Sequence, residues 1–75
     1  MEYLVVRFGA ASQRRGVLVD GNPFGLTNTL IQVEAGTHTI ALVPPPDFSP
    51  AAQTVVIADT SELAPFTVTF LRTAA

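Results

Sequence analysis

His38 is the only histidine in the chain. It stands in Glu34-Ala-Gly-Thr-His-Thr-Ile-Ala-Leu-Val43, just past a glycine and at the head of an alternating apolar run. An imidazole titrates near neutral pH, so it is the first residue to test for acid–base or metal chemistry. Either task needs company: a second ligand, an orienting carboxylate, or a nucleophile to activate. There is no second histidine and no cysteine to complete a metal site. The residues point instead to a structural imidazole at a strand start, partly buried and hydrogen-bonded to backbone or to a loop side chain. His38 is read as a corner-fixing residue.

The other reactive side chains lack the same company. Asp20, in Val19-Asp-Gly-Asn-Pro-Phe-Gly25, has no second carboxylate nearby to raise its pKa for general acid work. Its short carboxylate suits an Asx-type turn, accepting an N–H two residues on. Arg14 and Arg15 form the one basic cluster, but adjacent side chains in an extended segment point to opposite sides, so a solvated loop is expected there. Ser12, Ser49 and Ser61 have no G-x-S-x-G setting. The segment Arg7-Phe-Gly-Ala-Ala-Ser12 lacks the further glycines of a phosphate cradle. No catalytic residue, cofactor or metal is expected, and the chain is not read as an enzyme.

The elements that hold these residues are short and β-rich. Five glycines and six prolines break 75 residues into brief runs in which apolar and β-branched types alternate. Runs are read at Tyr3–Phe8, Val17–Asp20, Thr29–Val33, Thr37–Val43, Gln53–Ala58 and Phe66–Leu71. Leu4, Val6 and Phe8 share one face, as do Ile31 and Val33, His38, Ile40 and Leu42, Val55 and Ile57, and Phe66, Val68 and Phe70. Asp20-Gly21 marks a tight turn, and Gly36 supplies the positive φ of a short hairpin. Pro44-Pro-Pro46 ends its run, because proline donates nothing to a ladder. Asp59–Pro65 is read as a connection with room for one helical turn. The sum is all-β: one domain over residues 1–75, a small antiparallel β-sandwich of about six to seven short strands.

Composition narrows the function classes. Only 13% of residues are charged and 48% are apolar, with a mean hydropathy of +0.41. The net charge is −2, with no lysine and four scattered arginines, which gives nucleic acid no electrostatic footprint. The apolar runs are too short for a spanning helix of about 20 residues, so no membrane insertion is expected. Met1–Ala10 lacks the basic start and long apolar stretch of a secretory leader. A chain complete as it stands would be cytoplasmic, and one excised from a longer protein would suit the cell envelope.

The stretch from Gly16 to Ile57 resembles the PEGA domain. The features are Val19-Asp20-Gly21, then Gly25, Thr27, Gly36-Thr37-His38-Thr39-Ile40 and the aromatic Phe48, in that order. The chain departs from the pattern at Asn28, where the family usually has proline, and at Asp47-Phe48, where it has glycine and an aromatic. The resemblance implies a carboxypeptidase-regulatory or transthyretin-like β-sandwich without catalytic residues, often attached to envelope, surface or signalling proteins. It makes Asp20, Gly21, Gly25, Gly36, His38 and Phe48 turn and corner residues.

Apolar residues also fall out of phase with the core faces: Val5, Leu18, Leu30, Val43 and Val56. They are candidates for a protein-contact surface, homodimeric or otherwise, with edge-to-edge strand pairing as another route. A protein partner or self-association is therefore the leading expectation. The alternative is a module for carbohydrate or cell-envelope polymer, with Tyr3, Phe24 and Phe48 as stacking surface. Aromatics make up only 8% of the chain and tryptophan is absent, so a small-molecule ligand is not the favoured reading.

Overall fold

Alternation at a period of two places every second side chain on one face, and the core is built from those positions. In the computed structural model, which describes residues 1–9 and 14–73, the chain forms nine strands. They are β1 Glu2–Arg7, β2 Gly16–Val19, β3 Asn22–Leu26, β4 Leu30–Val33, β5 Gly36–Leu42, β6 Phe48–Ser49, β7 Gln53–Ile57, β8 Phe66–Thr69 and β9 Leu71–Arg72. There is no helix among the described residues, and none long and apolar enough to cross a membrane. The fold is all-β.

Two sheets carry the core, ordered β4-β1-β8 and β3-β2-β5-β7, and β6 pairs β9 as a small third ladder. Leu4 and Val6 of the first sheet, with Ile31, Val33 and Val68, meet Val17, Val19, Ile40, Leu42 and Ile57 of the second in one buried cluster. Phe8 and Phe70 close one end of it, with Phe48 packed against them. Apart from Phe48, which belongs to none of the runs, each of these side chains is the in-phase residue of its run.

The pairing differs from a purely antiparallel sandwich in one place. β1 runs parallel to β8, with Leu4 opposite Phe66 and Val6 opposite Val68, while its other neighbour β4 is antiparallel. The last run also breaks at Phe70, whose N–H donates to the Arg7 carbonyl at 2.9 Å, before β9 resumes. Three strands exceed the six runs read from alternation. β3, Asn22–Leu26, falls in none of those runs and holds Pro23 and Gly25, yet it is an edge strand, where a proline is tolerated. A register shift in its pairing with β2 leaves Phe24 as the extra residue.

Two turns carry the architecture. Asp20 and Gly21, both at positive φ (53° and 84°), make the two-residue link between β2 and β3, the signature of a type I′ hairpin. The link from β4 to β5 is not the hairpin that Gly36 suggested. β4 pairs β1 and β5 pairs β2 and β7, so Glu34–Gly36 is a corner that carries the chain from one sheet to the other. Gly36 has φ +127° there, a region that side-chain-bearing residues avoid.

Asp59–Pro65 contains no helical turn: Ser61 and Ala64 exchange N–H to carbonyl bonds at 3.2 and 3.1 Å. Thr60 ties this segment to the first strand, receiving the Tyr3 N–H at 2.7 Å and donating to Glu2 Oε1. The Ser12 reading and most of the connection before Arg14 lie outside the described residues.

Candidate functional site

His38 and Asp20 meet where the β2–β3 turn and the β4–β5 corner come together. Imidazole Nδ1 lies 2.7 Å from Asp20 Oδ2, and Nε2 lies 2.6 Å from the Glu34 carbonyl. Asp20 Oδ1 accepts the Thr39 N–H at 2.9 Å, and the Asp20 N–H donates to the Thr39 carbonyl at 2.9 Å. The Asp20 carboxylate thus reaches across to the neighbouring strand rather than to a donor two residues on. His38 is largely buried, with 14% of its side chain exposed, against 50% for Asp20.

Both partners of the ring only accept hydrogen bonds, so both bonds are satisfied only when both ring nitrogens carry protons. The corner selects the imidazolium. The Asp20 hydrogen bond, and then the Glu34 carbonyl, raise His38 above its ordinary 6.5. The Thr39 N–H, and then His38, hold Asp20 below its ordinary 3.8.

These directions fix a pH profile. The His38 contribution is fully present below 6.5 and is lost as pH rises through its raised value. The Asp20 contribution is present above 3.8 and is lost as pH falls through its lowered value. Urea midpoints measured from about pH 5 to about pH 9 are expected to decline on the alkaline side, and His38→Gln is expected to flatten that decline. An unchanged alkaline limb in the variant would remove the imidazolium from the account.

The same geometry limits chemistry. Phe24, Asn22 and Glu34 line a cleft of about 280 Å³ beside His38, but neither ring nitrogen is left to take a proton from a bound molecule. No group of three or more His, Cys, Asp or Glu among the described residues is placed to hold a metal. Every buried side-chain nitrogen or oxygen among them has a partner.

Arg15 is not the solvated loop residue its neighbours suggested. Its guanidinium forms a two-point pair with Asp47, donates to the Pro45 carbonyl at 3.0 Å, and sits 5.0 Å above the Phe8 ring. The Asp47 hydrogen bond holds Arg15 protonated, and the Arg15 bond keeps Asp47 below the usual carboxylate range. Arg72 approaches Asp47 at 3.5 Å and lies over the same ring at 5.7 Å. Phe8, Phe48 and Phe70 meet edge to face beneath them, with centroids 6.2 and 5.6 Å apart. Arg14 is exposed.

Asn28 occupies a backbone position that proline could not take. It has φ +61° and its side-chain amide donates to the Phe8 carbonyl at 3.0 Å; proline, locked near −65°, fits neither role. Gly25 has a packing role, since a Cβ there would come within 3.1 Å of Ile31.

The five out-of-phase apolar residues do not form one surface. Val5 and Leu30 are register partners on the outside of the three-stranded sheet. Leu18, Val43 and Val56 lie on the opposite side of the molecule, outside the four-stranded sheet. There they join Leu26, Pro23, Ala41, Thr37, Thr39 and Thr54, placed by their register against the buried residues of the same strands. Val56 is 65% and Leu26 46% exposed. No residue of this face carries a charge.

The three candidate stacking aromatics are likewise scattered. Tyr3 is half-buried outside β1, Phe24 borders the His38 cleft, and Phe48 is wedged between Phe8 and Phe70. No family model, no curated protein and no solved structure matches the chain.

Proposed function

We propose that this chain is a non-catalytic, PEGA-like β-sandwich module whose work is protein contact and assembly. One observation carries the reading: the outer face of β3-β2-β5-β7 is broad, rich in threonine and aliphatic residues, and free of charge. A solvated sheet face ordinarily carries charged residues among its polar ones. Covering about 200 Å² of such apolar surface stabilises an association by about 5 kcal/mol before ordering costs are subtracted. The occupied ring nitrogens of His38 support the non-catalytic half of the proposal.

Chemical cross-linking in extracts of the source organism tests it, comparing the wild-type chain with Thr54→Glu and Val56→Glu, both on the outer face at β7. Both substituted residues are exposed, so the variants are expected to fold. Adducts should fall sharply in both and persist in Leu63→Glu, whose side chain is 98% exposed and belongs to the Asp59–Pro65 connection, outside this face. Equal adduct yields from all the chains would contradict the reading.

A further inference from the structure

We infer that the partner is a second copy of this chain, added through the edge strand β7 so that two four-stranded sheets become one sheet of eight. The inference rests on the interaction reading above and names its partner.

Each sheet has two edges, and an exposed edge is a template for another strand unless something blunts it. β3 is blunted by Pro23 and by the bulge at Phe24. β4 is only four residues long, lies against β3 and runs into the Glu34 corner. β8 is also four residues long, follows Pro65, and has its Thr69 carbonyl taken by Gln53 Nε2 at 2.7 Å. β7, Gln53–Ile57, has no proline, no charge and no bulge, and pairs only with β5 among the described residues. Among the described edges of the two larger sheets, it is the one left unguarded.

The composition around β7 suits its own copy. A two-fold contact brings a strand against itself, so any charge would meet its like, and β7 has none. An axis through Val55 sets Thr54 opposite Val56 of the second copy, a β-branched pair on the uncharged outer face. It sets Gln53 opposite Ile57 and Ala52 opposite Ala58. One step further Ala51 faces Asp59, so the nearest acid meets a methyl group rather than another acid. The contact also makes the Thr37–Val56 and Thr39–Thr54 rows continuous across the axis. Because only five residues a side engage, the dimer belongs to the small, concentration-dependent class of interfaces.

Sedimentation equilibrium from about 10 µM to about 1 mM reads the association directly. The wild-type mass is expected to climb from 7.9 kDa toward twice that value. Val56→Glu is expected to weaken association about tenfold by placing a charge in the pairing edge. Thr54→Lys with Val56→Glu is expected to restore it, because the proposed register sets each lysine opposite a glutamate of the other copy. Circular dichroism melts confirm that each variant is folded.

A dimer indifferent to Val56→Glu, or a double variant no stronger than the single one, overturns this edge and register. A strict monomer whose Val56→Glu variant loses cross-links to a different protein overturns the second copy and leaves the interaction reading standing. A strict monomer that cross-links to nothing overturns both.

Discussion

Phe70→Ala is expected to lower the urea midpoint by about a quarter to more than a half. Phe70 is 1% exposed, meets Phe48 edge to face at 5.6 Å, and anchors the end of the parallel β1–β8 pair through its N–H bond to Arg7. Truncating a buried phenylalanine costs about 3–5 kcal/mol. A domain of this length has on the order of 4–11 kcal/mol of folding free energy in total, so one side chain carries a large share. Phe70→Leu keeps most of the volume and is expected to cost less than about 1.5 kcal/mol. Denaturant titrations of the two variants, with the slope unchanged, separate loss of packing from loss of cooperativity. Equal midpoints for both would mean that this end of the core is not closed by Phe70.

Gly36→Val is the second large effect, and its cause is conformational. Apart from the adjoining residues, no atom lies within 4 Å of where a Cβ would stand, so the Cβ itself meets no clash, yet φ is +127°. Forcing a β-branched residue into that region costs about 1–3 kcal/mol. The strain falls on the corner where the chain changes sheets, next to the Glu34 carbonyl that His38 holds. Gly21→Asn is the contrasting variant: that site is also open, at φ +84°, and asparagine tolerates positive φ in a turn, so the change is expected to cost under about 1 kcal/mol. Midpoints that fall equally would mean that Gly36 is not a special position.

The longer strands were legible because alternation is a local signal. Leu4, Val6 and Phe8, or Ile40 and Leu42, announce one buried face within a few residues, and all are buried. β3 escaped because Pro23 and Gly25 are turn residues by type. Only an edge position excuses the proline, and only close approach by Ile31 explains the glycine. β6 and β9, two residues each, are too short to show any period. The partners of the key polar residues were hidden by distance along the chain. Asp20 is 18 residues from His38, and Asp47 is 32 from Arg15, and neither pairing leaves a mark on local composition.

The out-of-phase residues show the same limit. Parity told that Val5, Leu18, Leu30, Val43 and Val56 leave the core. Which of them share a surface is decided by which sheet each strand joins, and that follows from long-range pairing. The Glu34–Gly36 corner is the pivotal case. Its glycine is visible in sequence, while its role as a crossing between sheets, rather than a hairpin, depends on β4 choosing β1 as its neighbour.

A two-dimensional ¹H–¹⁵N spectrum recorded across a concentration series tests where this protein makes its contacts. Shifts that move with concentration are expected to cluster on Thr37, Thr39 and Gln53–Ile57, while Phe24, Glu34 and His38 stay still. Movement centred on the His38 cleft, with the β7 amides unchanged, would contradict that expectation.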